Sequence, residues 1–377
     1  MKGSPGARWL FLIVLALCFT QFPRSIDFMD YVNHARWALA EGFMRPPYPV
    51  GTAQWGDFFQ SPIVVLLLVP LAPFPLPAAK FIWAVLNTAG VSYVLHRTLD
   101  RPIGTSSALF LVLLFAHPIS DIYVSGNINF ALLVCLLAGW HGLHSPRRTL
   151  QALGGGLVAL AICIKLQPVL FLAWFVGHKE WPRVGYILLG LLFWIAFSAL
   201  TLPHTSFWPW WEGWWHAVGL YHLAAPAGTV SYQSPPAALF RWLTRFTDLS
   251  YTDRYHIMST FAAGAQGLLF LYALGFGKGM NRNTVALPIL LSAFFIGGPF
   301  SWALTLLFCF PLVYHATKNQ IPRLAWIMVV LLATIPKALW PERIWQQLAE
   351  GNAPAVCIGV ILAQCLWRLR LSVKLTP

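Results

Sequence analysis

Two carboxylates, a phenol and an imidazole share one helical spacing soon after the first apolar run of the chain. Asp27, Asp30, Tyr31 and His34 fall at i, i+3, i+4 and i+7, so a helix over 27–41 would set them on one face. A carboxylate held just outside a bilayer is partly desolvated and holds a proton more readily. Such an acid can act as a general base toward a sugar hydroxyl. Asp27 also has a plainer role open to it, because Asp is a favoured N-cap. On spacing alone the cap is the simpler reading. Asp27 and Asp30 are not expected to share a metal ion, no other metal-ligand spacing occurs, and no glycine loop suited to a nucleotide or other cofactor is present.

Two cations are candidates for a phosphate. Lys165 lies between the short apolar runs 150–164 and 167–178, flanked by Arg147, Arg148, Lys179 and Arg183, as at the tip of a hairpin. A cation at membrane depth costs about 2.5–3.5 kcal/mol on insertion scales and usually pairs or lines a pathway. A lipid phosphate is one partner for it; snorkelling to the interface is the alternative. Arg241 could hold a phosphate in bidentate fashion, or sit at the surface near headgroups. Asn127, Asn129 and Gln233 suit sugar hydroxyls, although Asn129 could simply cap the helix it opens.

The elements that must position these groups are apolar. Of 377 residues, 58% are hydrophobic and 10% are charged, and mean hydropathy is +0.64. A soluble domain carries about 25% charged residues, so this chain reads as a polytopic membrane protein. The first run, 8–23, lacks a small-x-small cleavage site and reads as an uncleaved signal-anchor. Twelve crossings are expected near 8–23, 79–96, 104–118, 128–143, 150–164, 167–178, 184–202, 256–277, 284–297, 301–316, 323–340 and 353–368, with both termini cytoplasmic. The run 62–74 holds Pro70 and Pro73 and reads as a re-entrant or interfacial helix.

Charge supports that layout. Loops assigned to the cytoplasm carry fifteen cations against two acids, and the far side carries eight cations against ten acids. Lys80 and Lys165 fall in membrane segments. The formal charge of +13 therefore orients the chain and does not call for nucleic acid. The six cysteines all lie in apolar runs and read as small buried hydrophobes. Two large external loops remain, 24–78 and 203–255, within a single membrane domain spanning 1–377. The second carries Trp208, Trp210, Trp211, Trp214 and Trp215, either an interfacial aromatic belt or a platform for sugar or lipid.

The ordered motifs resemble glycosyltransferase family 87, of the GT-C membrane glycosyltransferases. Asp27-Phe28-x-x-Tyr31 follows the first crossing, and Phe59-Gln60-Ser61-Pro62 precedes the short apolar helix. Ser125-Gly126-Asn127-Ile128-Asn129 stands where the family tends to have Gly-Gln-x-Asn. Lys165-Leu166-Gln167-Pro168 is similar to Lys-x-x-Pro, Ser231-Tyr232-Gln233-Ser234 with Arg241 to Asn-x-Ser…Arg, and Gly298-Pro299-Phe300-Ser301-Trp302 to Pro-x-Ser-Trp. Two departures stand out: Asn127 is one methylene shorter than Gln, and Ala303 and Leu304 follow Trp302 where histidines are frequent; His204, His216 and His222 could substitute.

The resemblance implies an all-α GT-C fold, Asp27 as catalytic base and a polyprenyl-phosphate sugar donor, typically mannose. Lys165 and Arg241 would then hold the donor phosphate. Asp30, Tyr31, Gln60, Asn127, Asn129, Gln233, Ser234 and Trp302 would contact the sugar or a glycan or glycolipid acceptor, with the lipid bilayer as the remaining partner. A transporter or flippase for a lipid-linked sugar, which would not need the acid at Asp27, and an inactive lipid-binding relative, prompted by the two departures, are the alternatives.

Overall fold

A computed structural model describes residues 5–48, 60–99, 104–224, 234–276, 282–296, 303–317, 321–334 and 353–374. Among the described residues the chain is helical, and no strand occurs. In chain order the helices are α1 (Pro5–Phe19), α2 (Ile26–Ala40), α3 (Pro62–Leu68), α4 (Leu76–Thr98), α5 (Thr105–Ser125), α6 (Asn129–Leu143), α7 (Arg148–Ile164), α8 (Val169–Gly177), α9 (Trp181–Thr201) and α10 (Phe207–Ala224). They continue with α11 (Pro235–Phe246), α12 (Tyr251–Leu274), α13 (Leu287–Ile296), α14 (Phe310–Thr317), α15 (Arg323–Thr334) and a last described helix, Ala353–Lys374. Two compact units result. Unit A holds 21–90 and 122–226; unit B holds 1–20, 91–121 and 227–377.

Among the described residues, four helices are long and apolar enough to cross a membrane: α4, α5, α9 and α12. They coincide with the expected crossings 79–96, 104–118, 184–202 and 256–277. α5 runs seven residues beyond Pro118, because a proline inside a helix removes only one rung of the hydrogen-bond ladder. Among the described residues the other apolar runs give shorter helices, except that the run 353–368 lies in the 22-residue helix Ala353–Lys374. α8, within the expected crossing 167–178, has nine residues and spans about 14 Å, less than half of a hydrocarbon core. α9 exposes Leu188, Leu189, Leu192, Phe193 and Leu200, and α12 exposes Leu268 and Leu271. Such faces need an apolar solvent. The chain is an integral membrane protein.

In unit A, α7 packs between α6 and α9 through glycines. A Cβ added to Gly154 would lie 2.5 Å from the Leu143 nitrogen and 2.7 Å from the Gly139 oxygen, both of α6. One added to Gly155 would lie 2.5 Å from the Tyr186 backbone of α9. Small residues let backbones touch where lipid gives no hydrophobic drive to associate. The Trp194 indole of α9 donates to the Gly156 carbonyl at 2.9 Å across the same seam. In unit B, α11 lies on α12, with Phe240 and Met258 buried together and the Arg254 guanidinium over the Phe240 ring. Edge-to-face pairs Phe110–Trp326 and Phe115–Phe310 bring α5 to α15 and α14.

The glycine seam gives a direct test. Gly154→Val is expected to cost about 1–3 kcal/mol by overpacking, seen as a lower midpoint of thermal unfolding in detergent. Gly156→Ala, whose added Cβ meets nothing within 4 Å, should leave that midpoint unchanged.

Candidate functional site

Asp27 lies in the first turn of α2, one residue inside the helix; the N-cap position belongs to Ser25. The cap role open to Asp27 in the sequence is therefore not the one it fills. Its Oδ2 accepts a hydrogen bond from Asn127 Nδ2 at 2.6 Å, across 100 residues of chain. The other end of the same amide is also used: Asn127 Oδ1 accepts from the N–H of Asn129, the first residue of α6, at 2.9 Å. The N-cap position of α6 belongs to Ile128, so Asn129 is not the cap. The i to i+2 bond is an Asx geometry that the longer Gln makes less readily. The departure at Asn127 therefore couples the carboxylate to α6 through one short amide.

Several groups fix this corner. Ser25 is buried with φ 26, a strained value for a non-glycine residue, and its hydroxyl lies 2.6 Å from the Phe22 carbonyl and 3.0 Å from that of Tyr123. Gly126 has φ +67, and a Cβ there would lie 2.7 Å from that of Phe28. Trp83 stacks on Phe28 at 5.0 Å and donates from its indole to the Gly126 carbonyl at 3.0 Å. The Tyr123 hydroxyl lies 2.8 Å from that of Thr88. Lys80, buried in α4, donates from Nζ to the carbonyls of Pro23 and Arg24, at 2.8 Å each.

Ser25, Lys80, Trp83 and Gly126 were not among the expected site residues. Lys80 carried a usable signal, since a cation in an apolar helix must find oxygens somewhere.

The other expected residues divide. Asp30 and His34 share the Asp27 side of α2. Burial pushes the Asp30 carboxyl above the usual carboxylate range, with the charge of His34 opposing. The His34 Nδ1 lies 2.7 Å from the Asp30 carbonyl, so that nitrogen carries the proton. Tyr31 is buried with Phe28, Val32, Ala35 and Ala38 and belongs to the inward stripe. The expected shared face therefore holds Asp27, Asp30 and His34 without it. At i+4 Tyr31 stands on the border of the polar stripe, and packing decides its side.

The Gln60 backbone carbonyl accepts from the Tyr48 hydroxyl at 3.0 Å, just before α3. Lys165 ends α7 in extended conformation and is exposed, in unit A with Asp27. Arg241, in α11, and Ser234, at its N-cap position, lie in unit B, and both are buried. Desolvation lowers the Arg241 pKa to about 10, which leaves the guanidinium charged at neutral pH. Gln233 and Trp302, with Phe59, Ser231-Tyr232 and Gly298-Pro299-Phe300-Ser301, lie outside the described residues. The tryptophans of α10 face two ways: Trp210 and Trp214 are buried, whereas Trp208 and Trp215 are exposed.

An all-helical membrane protein with a hydrogen-bonded carboxylate at a helix start fits the membrane glycosyltransferases. The family model for glycosyltransferase family 87 matches residues 58–296, more than half of the chain, and the chain belongs to that family. Asn127, Asn129, Lys165 and Arg241 lie within the matched stretch; Asp27 and Trp302 lie outside it. No curated protein sequence and no solved structure matches the chain.

Two substitutions probe the corner. Gly126→Ala is expected to cost about 2–5 kcal/mol, from αL strain and the clash with Phe28, and to lower sugar transfer. Trp83→Phe keeps the stack and loses one hydrogen bond. It should cost about 0.5–1.5 kcal/mol, with both changes read from thermal unfolding in detergent.

Proposed function

We propose that this glycosyltransferase moves a sugar, mannose by the family resemblance, from a polyprenyl-phosphate donor to a lipid- or polymer-linked glycan on the non-cytoplasmic face. The observation that carries the reading is the Asp27 carboxylate, held 2.6 Å from the Asn127 amide at the start of α2. The acceptor hydroxyl oxygen attacks the anomeric carbon as Asp27 takes its proton. The bond from that carbon to the phosphate oxygen breaks, and its electron pair leaves with the phosphate. A single displacement of this kind inverts the anomeric centre. Lys165 is proposed to offset the charge on the departing phosphate, and Arg241 is proposed as a further cation for lipid phosphate. The proposed topology keeps twelve crossings and places 24–78 and 203–255 outside.

Purified protein given polyprenyl-phosphate mannose and a panel of mannosylated lipid and polymer acceptors should transfer the sugar with inversion. Asp27→Asn should lower kcat by about 10²–10⁴-fold while donor binding persists. Undiminished transfer by that variant would remove Asp27 as the base. Vectorial movement of donor lipid without transfer would replace the transferase with a flippase.

Sidedness has its own measurement. In a cysteine-free background, exposed His204→Cys should react with a membrane-impermeant maleimide on intact cells. Exposed Arg147→Cys should react only after lysis. The reverse pattern would invert the topology.

A further inference from the structure

Beyond Asp27, α2 runs into an open groove of about 410 Å³ lined by Asn33, His34, Trp37, Pro46 and Pro47. That volume lies within the roughly 300–1,000 Å³ usual for small-molecule sites. Asp27, Asp30, His34 and Trp37 follow one another at i, i+3, i+7 and i+10, a single stripe along the helix. The groove therefore begins on the side of α2 that carries the proposed base. At 1.5 Å per residue, Asn33 to Trp37 stand roughly 9–15 Å along the axis from Asp27, about the length of a short oligosaccharide.

The lining suits a neutral sugar. Trp37 is partly exposed and offers an aromatic face, and the proline rings offer flat apolar ones. Exposed Asn33 can donate and accept, as paired hydroxyls require. None of the described lining residues is Lys, Arg, Asp or Glu. Those residues offer a neutral ring more than they offer the phosphate end of the donor, which calls for fixed cations.

The far wall is built rather than loose. α2 ends in two consecutive left-handed residues, Gly42 (φ 57) and Phe43 (φ 60), the second strained for lack of a glycine. The Trp210 indole of α10 holds the Phe43 carbonyl at 3.0 Å. Tyr48, buried beside Trp210, anchors the chain just after Pro47, and α10 comes close at Gly213, where an added Cβ would lie 2.9 Å from the Tyr48 ring. The Arg36 side chain ties α2 to the carbonyls of Ala72 and Phe74, at 3.0 and 2.5 Å. A groove fixed at both walls binds without the cost of ordering its parts.

We infer that this groove is a subsite for a sugar ring of the acceptor glycan, set back from the reacting hydroxyl, with Trp37 as the stacking face and Asn33 as the hydrogen-bonding group. The inference rests on the reading of Asp27 as the base and adds that the acceptor is an extended saccharide. Its test does not depend on transfer: saturation-transfer-difference NMR of the full chain in detergent with soluble mannose and glucose oligomers.

The wild-type protein and Asp27→Asn should both bind. Trp37→Ala should weaken binding about tenfold or more, Trp37→Phe should largely restore it, and exposed Asn33→Ala gives a second, milder loss should Trp37→Ala fail to fold. Saccharide binding indifferent to Trp37 and Asn33, or no binding by any oligomer, overturns the subsite. Trp37-dependent binding in a protein that never transfers sugar keeps the subsite and sinks the transferase reading instead.

Discussion

A carboxylate at the edge of an apolar bundle is costly unless donors meet it, and the local structure is arranged around that requirement. The Asn127 amide supplies the donor at 2.6 Å, and the start of α2 supplies a field of the right sign. For Asn127 to reach Asp27, the turn before α6 must pass directly beneath α2. Only a glycine at 126 lets the two backbones come that close, because a side chain there would collide with Phe28. Trp83 then closes the gap from the third side, through its stack and its indole bond.

The second constraint is that the turn before α2 leaves backbone oxygens outside the helical ladder. Lys80 answers it with two charge-assisted hydrogen bonds, to Pro23 and Arg24. A lysine in an apolar helix is expensive by itself, and three donors on one ammonium are an effective way to satisfy carbonyls that point in different directions. The strain at Ser25 is held by contacts of its own, since its hydroxyl reaches carbonyls on both sides of the corner. Cation, strained residue and glycine turn thus form one device for setting the direction of α2.

What the sequence disclosed followed from local spacing. The helix expected over 27–41 is found over 26–40, and Asp27, Asp30 and His34 keep their shared side. Among the described residues, the four helices long and apolar enough to cross a membrane were legible for the same reason, hydropathy being a local property. What stayed hidden depends on partners far along the chain: Lys80 acts 56 and 57 residues away, and Trp83 acts 43 residues away. Tyr31 shows the limit from within one helix. Its spacing allowed either side, and burial against the neighbours of Phe28 chose the inner one. The Trp-rich run was legible as an aromatic cluster, but its division into buried Trp210 and Trp214 and exposed Trp208 and Trp215 is set by α10 packing.

α2 therefore works as a bar clamped at both ends. Strained left-handed residues stand at Ser25 and Phe43, each stitched to a different neighbour, Tyr123 before α6 and Trp210 on α10. A loop hinged at one end would let the acid and the groove drift relative to each other. Transfer to a chosen hydroxyl requires the opposite, because misplacement of about 1 Å can cost around 10²-fold in rate. Fixing both ends of one helix keeps the distance between Asp27 and Trp37 constant at the helical rise, whatever the side chains on its outer face contact. In that arrangement α2 acts as a ruler, and its two strained ends hold the spacing of the residues along it.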